Sequence, residues 1–209
     1  IICEPCDNVI TLGHKGKAQI RIITHGISSH GSAPEKGKNA GRRAGMKNYV
    51  LHFIRHGRTE HQRQGVYMGR RTGSELSAEG IGELLALRQE YDYPSAEVVF
   101  SSPLPHCLQT ADFLYPESRL MVVDELAEMD FGSYEGKSLE ELKDDPEFGR
   151  WLADSHHQKP PEGESGEEFL IRIQAAVAAM IDYMAQNEIF EAAVVTHGGV
   201  IATLMSTLG

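Results

Sequence analysis

The sequence predicts an α/β fold of three layers, with helices on both faces of a mainly parallel central sheet. Three observations point there. Two short apolar runs, Tyr49-Val50-Leu51-His52-Phe53-Ile54 and Ala192-Ala193-Val194-Val195-Thr196, are rich in β-branched or aromatic types, and each leads into a histidine followed by glycine. Such runs read as buried strands of a parallel sheet. Between them lies a long amphipathic segment that opens at Ser165, and the other elements alternate strand with helix.

In chain order, Lys17 to His25 is strand-like through Ile20, Ile22 and Ile23, and a turn-rich loop, Ser28 to Pro34, follows it. Leu76 to Tyr91 reads as a helix capped by Ser77, with Leu84, Leu85 and Leu87 as its apolar content and glycines at 80 and 82 weakening it. Glu97-Val98-Val99-Phe100 is the next buried strand, and Ser102-Pro103 opens the helix behind it, with proline at the first helical position. Leu120-Met121-Val122-Val123 is a third strand, and a polar, acidic region containing Trp151 follows. Ser165-Gly166-Glu167-Glu168 is a capping box. Leu170, Ile173, Val177, Met180, Ile181 and Met184 then recur at helical spacing, which makes the methionines core. Val200 to Leu208 is a last apolar helix that starts at the His197-Gly198-Gly199 turn.

Composition narrows the function. The chain has 209 residues, 41% hydrophobic and 24% charged, which suits one globular domain or one and a fraction. A formal net charge of -10 argues against a nucleic-acid partner, which needs a basic face to release counterions. No apolar run approaches the roughly eighteen residues needed to span a bilayer and no secretory signal is visible, so the expectation is a cytoplasmic protein without a membrane partner. Cys3 and Cys6 form a C-x-x-C pair, Cys107 stands alone, and one pair cannot complete a four-ligand zinc site.

The strand tips carry the chemistry. Ligands of open α/β sheets bind at the carboxyl ends of strands, and here Arg55-His56-Gly57 ends one strand while His197-Gly198-Gly199 ends another. Two imidazoles and a guanidinium suit a phosphate: one neutral imidazole can attack phosphorus, the other can donate hydrogen bonds, and the arginine fork grips two oxygens. The N–H groups at the start of the last helix, Gly198 among them, can face the same anion. No metal or cofactor is required by this constellation, because cationic side chains supply the electrophile.

At Arg55-His56-Gly57-Arg58-Thr59 the chain resembles the histidine phosphatase superfamily, the phosphoglycerate-mutase-like enzymes, whose signature is Arg-His-Gly-x-Thr. The resemblance runs from about Lys47 to the end and rests on several separate motifs. It implies a phosphoglycerate-mutase-like fold, here lacking its C-terminal end, and a metal-independent phosphatase with no cofactor. It also implies roles: His56 as the nucleophile that forms phosphohistidine, Arg55 and His197 as holders of the phosphoryl oxygens, and Thr59 and Gln62 as polar phosphate contacts, with Gln62 standing where the family has asparagine. Leu126 to Gly136 resembles the family's acid-bearing segment and maps the general acid onto Glu128, with Asp130 as understudy. Ser101-Ser102-Pro103-Leu104-Pro105-His106 matches the family's Ser-Ser-x-Leu-x-Arg except that His106 replaces the second pocket arginine. An arginine is always charged and bidentate, and a neutral histidine is neither. Arg58, Arg70 and Arg71 are the cations nearby in sequence that could compensate.

Residues 1–45 read as a separate piece. Gly13-His14-Lys15-Gly16, Ser29-His30-Gly31-Ser32-Ala33-Pro34 and Gly37-Lys38-Asn39-Ala40 resemble zinc-dependent deacylases of the acetylornithine deacetylase and succinyl-diaminopimelate desuccinylase type. That resemblance would make Glu4 a metal ligand and His30 a lid histidine, yet the remaining ligands of a two-metal site are not in this chain. The expectation is a non-functional lid-like fragment over 1–45, a junction at Arg42 to Lys47, and a C-terminally truncated phosphatase domain over 46–209.

The functional expectation is therefore a phosphomonoesterase acting on a small phosphorylated metabolite. Glu128-Met129-Asp130-Phe131-Gly132 and Pro160 to Ser165 are similar to the α-ribazole phosphatase branch, which acts in cobalamin biosynthesis. Two other readings stand beside it: a phosphate-ester-binding pseudo-phosphatase with little turnover because of His106, and a structural or oligomerisation fragment motivated by the N-terminal piece. The sequence leaves the oligomeric state open.

Overall fold

In the computed structural model, residues 9–12, 17–24, 47–61 and 65–208 are described. They form one six-stranded sheet in the order β1-β2-β3-β6-β4-β5. The strands are β1 (Val9–Leu12), β2 (Lys17–Thr24), β3 (Lys47–Arg55), β4 (Val98–Ser101), β5 (Arg119–Val122) and β6 (Glu191–Thr196). β3, β6, β4 and β5 run parallel to one another, whereas β2 pairs antiparallel with both β1 and β3. The helices are α1 (Ala78–Glu90), α2 (Pro105–Leu114), α3 (Leu139–Leu142), α4 (Pro146–Ala153), α5 (Gly166–Gln186) and α6 (Gly198–Leu208).

The central strands β3, β4 and β6 are largely apolar because both of their faces are covered, whereas the edge strand β5 leaves Leu120 and Val122 exposed. On one face Leu51, Phe53, Val98, Phe100, Ala192 and Val194 pack with Phe169, Ile173, Met180 and Met184 of α5 and with Val200 and Leu204 of α6. On the other, Ile54, Val99, Ala193 and Val195 meet Cys107, Ala111 and Leu114 of α2. Successive strand residues thus alternate between two dry interfaces, the burial that a parallel sheet demands. The expected αβα layers are present, and among the described residues no helix is long and apolar enough to cross a membrane.

Several boundaries differ from the sequence reading. α2 starts at Pro105, not at the Ser102-Pro103 pair, because Ser102 still continues the ladder by donating its N–H to the Val195 carbonyl at 3.0 Å. The capping box at Ser165 is formed, but the buried stripe of α5 runs through Phe169, Ile173, Ala176, Met180 and Met184, leaving Leu170, Val177 and Ile181 at its flanks. The acidic region around Trp151 is not a plain loop. A capping box at Ser138 and Glu141 starts α3, and Asp145 with Pro146 starts α4, whose Phe148 and Trp151 bury against Tyr134.

The strand-like stretch expected over Lys17 to His25 is β2, Lys17–Thr24, paired with β3 across its length from Lys17↔Ile54 to Thr24↔Lys47. Cys3, Glu4, Cys6 and His30 lie outside the described residues, as does Gln62.

Candidate active site

The sheet register builds the first half of the site. Arg55 is opposite Thr196 in the parallel ladder, and His56 continues it by donating its N–H to the Thr196 carbonyl at 3.0 Å. His56 and His197 therefore leave neighbouring strands at the same height, and β4, on the other side of β6, delivers Ser102 and then α2. The ring centroids of His56 and His197 are 5.2 Å apart. His106, in the first turn of α2, lies 4.2 Å from His56 and 5.2 Å from His197 by the same measure.

Each ring is anchored from behind. His56 Nδ1 is 2.7 Å from the Gly57 carbonyl, so it carries the proton there and leaves Nε2 with its lone pair. His106 Nδ1 is 2.8 Å from the Ser74 carbonyl, with the same consequence. Ser102 Oγ lies 2.7 Å from His197 Nε2, and the buried Cys107 thiol is 3.5 Å from that nitrogen. Gly57 itself is fixed by an N–H donated to Thr110 Oγ1 at 3.0 Å, and a β-carbon there would meet Leu84 Cδ1 at 2.7 Å. The helix that carries Leu84 thus closes directly over the nucleophile loop.

Burial sets the protonation of these groups. Desolvation first, then the neighbouring His106 and Arg55, lowers the pKa of His56 to about 3. Desolvation lowers His106 as well, and lowers His197 further with help from His56 and His106. All three are neutral imidazoles at neutral pH. The Cys107 thiol is pushed up by burial and stays protonated.

The second half of the site comes from the irregular chain between β5 and α5. Glu128 Oε1 accepts the Met129 N–H and its Oε2 accepts the Gly199 N–H, both at 3.0 Å. Burial nonetheless raises its pKa above the ordinary carboxylate range, the fate of a carboxyl in a dry site. Gly199 is required for this approach: a β-carbon there would fall 2.2 Å from Glu128 Oε1. Arg172 of α5 holds the segment. It donates to the carbonyls of Glu125 at 2.6 Å, Ala127 at 3.0 Å and Glu128 at 3.2 Å, and pairs with Glu164 at 2.5 Å.

These walls enclose a cavity of about 990 Å³ lined by Arg55, His56, His106, Glu128, His197 and Gly198, among others. The exposed Arg55 side chain passes Gly198 closely enough that a β-carbon there would lie 3.4 Å from the guanidinium carbon. Thr59 is placed differently from the rest: fully buried, its hydroxyl points at Met68 Sδ at 3.8 Å, and it does not line the cavity. Asp130 accepts from Arg71 Nε at 3.1 Å and from the Gly132 N–H at 2.9 Å, which commits both Asp130 and Arg71 to holding the loop. Arg58 lines the cavity while pairing with Glu79 at 3.4 Å and Glu83 at 3.2 Å.

Sequence reasoning named Ser102 only at a helix start and within the Ser-Ser-x-Leu-x-Arg motif, and gave no site role to Arg172, Glu164 or Thr110. Arg172 left one trace, as the lone cation of α5, one residue before the buried Ile173.

A parallel sheet with histidines at adjacent strand ends, faced by a buried carboxyl whose pKa is raised, defines a phosphoryl-transfer class of site. The chain belongs to the histidine phosphatase superfamily (branch 1), whose model matches residues 51–209. It is 29% identical over 162 residues to the adenosylcobalamin/alpha-ribazole phosphatase of Escherichia coli K12, covering 76% of this chain and 78% of that protein. It is 32% identical over 164 residues to an acid phosphatase of Mycobacterium tuberculosis, covering 74% and 72%. The crystal structure of the alpha-ribazole phosphatase from Shigella flexneri superposes with a TM-score of 0.68 at 27% identity, over 75% of this chain and 78% of that one.

Proposed function

We propose that the chain hydrolyses small phosphate monoesters through a phosphohistidine on His56. The observation that carries this reading is the pairing of a neutral His56, its Nδ1 bonded to the Gly57 carbonyl, with a buried Glu128, its pKa raised by desolvation, on the opposite wall of one cavity. His56 Nε2 attacks phosphorus, the P–O bond to the alcohol breaks, and Glu128 gives its proton to the leaving oxygen. Water then attacks the phosphohistidine, Glu128 takes its proton, and phosphate departs. Arg55 supplies the full positive charge toward the phosphoryl oxygens, with His106, His197 and the Gly198 N–H as further donors. A neutral imidazole has one proton to donate and that of His106 is committed to the Ser74 carbonyl, so His106 serves in this way only on taking up a second proton with the dianion, while His197 must present an N–H or do the same. Thr59 supports the loop from beneath.

No step calls for a metal. The test is hydrolysis of a generic aryl phosphate by the full chain in excess EDTA, beside His56→Ala. Turnover that survives chelation and drops by a factor on the order of 10⁴ or more in the variant is expected; turnover unchanged in His56→Ala overturns the mechanism. Among natural esters, α-ribazole phosphate is the first to try, because two of the relatives named above carry it in their names. A second reading, a phosphate-ester-binding protein with little turnover, is favoured by His106 standing where a fixed cation is expected; it requires binding of the ester without release of phosphate.

Within residues 1–45, β1 and β2 contribute sheet rather than chemistry in this reading. β2 covers the edge of β3, the strand that ends at the nucleophile, and an uncovered edge leaves its N–H and C=O groups unpaired. Deleting 1–45 should lower the melting temperature while activity per folded molecule persists. A folded deletion variant without activity would show that the segment takes part in catalysis.

A further inference from the structure

The three imidazoles that surround the phosphate position also have the arrangement of a transition-metal site. His56, His106 and His197 each bring one ring nitrogen into a group whose members lie within 4.8 Å of one another. Their ring centroids are separated by 4.2, 5.2 and 5.2 Å, and the rings are tilted at 57°, 60° and 82° rather than stacked. A tetrahedral ion with metal–nitrogen bonds of about 2.0–2.1 Å sets its ligand nitrogens about 3.3 Å apart and the ring centroids about 5 Å apart. Two of the three separations already stand at that spacing, and the His56–His106 pair is closer, at 4.2 Å. Rotations that move the nitrogens by about 1 Å close the rest.

Two more features fit. Histidines that bind metals are usually oriented by a hydrogen bond from the other ring nitrogen to a carbonyl or hydroxyl. The Gly57 carbonyl does this for His56, the Ser74 carbonyl for His106, and Ser102 Oγ holds one nitrogen of His197. Glu128, on the facing wall of the same cavity, offers a negative charge once ionised, which offsets the opposing Arg55 guanidinium. An arginine at 106 would supply no ligand and would repel the ion, so the site exists because of the histidine there.

We propose that His56, His106 and His197 form a three-imidazole site for Zn²⁺ or a similar borderline divalent cation, and that the bound ion excludes the phosphate ester from the same cavity. Such an ion takes the lone pair of His56 Nε2, the one the nucleophile needs. The fourth ligand position faces the cavity and is open to water or to a phosphate oxygen. Zinc acts here as an inhibitor, which distinguishes this site from a catalytic metal centre.

The ion-binding part stands independently of the phosphatase reading, and its test needs no turnover. Zn²⁺ is titrated into the metal-free full chain against a chromophoric chelator in phosphate-free buffer, alongside His56→Ala, His106→Gln and His197→Ala, each checked for an unchanged melting profile. One ion per chain is expected, with affinity lost by about a hundredfold or more in every one of the three variants. Co²⁺ should show the intense visible bands of four-coordination in the parent and lose them in the variants. Zinc binding that persists in all three variants means the ion is held elsewhere, for example by the cysteines near the N-terminus, and overturns the site. If the parent also turns over an aryl phosphate, zinc should inhibit it competitively with the ester and EDTA should restore it. Stoichiometric zinc without inhibition overturns the exclusion, while absence of turnover bears only on the phosphatase reading and leaves the binding result to decide the site.

Discussion

The two walls of the cavity are held in place by different means. His56 and His197 sit where β3 and β6 end, and backbone bonds such as His56 N–H to the Thr196 carbonyl fix their heights. Glu128 sits on irregular chain held by side chains: Arg172 ties the carbonyls of Glu125, Ala127 and Glu128 to α5, and Thr196 Oγ1 donates to the Leu126 carbonyl between them. A nucleophile placed by sheet register is insensitive to any single distant side chain. An acid placed by a side-chain network is not.

The largest expected effect tests the strand-end wall. His106→Arg should raise aryl phosphate turnover at pH 7, since a single lost oxyanion donor is worth about 10²–10³ in rate. No change, or a loss, in steady-state kcat would assign His106 a task that an arginine cannot perform. Next comes the opposite wall. Arg172→Ala leaves the Glu164 carboxylate, only 14% exposed, with the Asp130 N–H but no cation beside it, and loosens the Glu128 segment. A misplacement of about 1 Å costs about a hundredfold in kcat, with KM for the ester changing little because Arg55 and the histidines still hold it. Recovery in Arg172→Lys would identify charge alone as the requirement, whereas the fan of carbonyl contacts predicts that lysine recovers little.

The smallest effect is a pH dependence that separates the walls. His56 is lowered to about 3, so between pH 5 and 8 it does not lose its lone pair to a proton. Glu128 is raised, and as general acid it is competent only below its folded pKa. Turnover should therefore fall as pH rises through that raised value, at up to about tenfold per unit, with no matching fall on the acid side from His56. Glu128→Gln should lower kcat and abolish the alkaline limb. A limb that survives in Glu128→Gln would move the acid role to another group.

The same contrast explains what was legible beforehand. β3 and β6, the histidines at their ends and the α5 capping box are written in contiguous stretches: an apolar run, a glycine that lets the chain turn, a serine three residues before a glutamate. Local pattern also carried Glu128 as the acid candidate, through its likeness to an acid-bearing segment. α3 and α4 were legible too, in the Ser138–Glu141 box and the Asp145-Pro146 pair, but the surrounding acidity masked them. Thr59 was expected as a phosphate contact and is instead buried beneath the loop, because the spacing of a motif does not state which way a side chain turns.

By itself, the sequence determined the layered α/β architecture and the presence of a histidine at each of two strand ends, since both follow from the periodicity of a few neighbouring residues. Only the tertiary structure decided how closely the rings of His56, His106 and His197 approach one another, that Arg172 holds the Glu128 segment, and that β2 closes the edge of β3. Those contacts join residues far apart along the chain, and they depend on strand register and helix packing, which no short window of sequence contains.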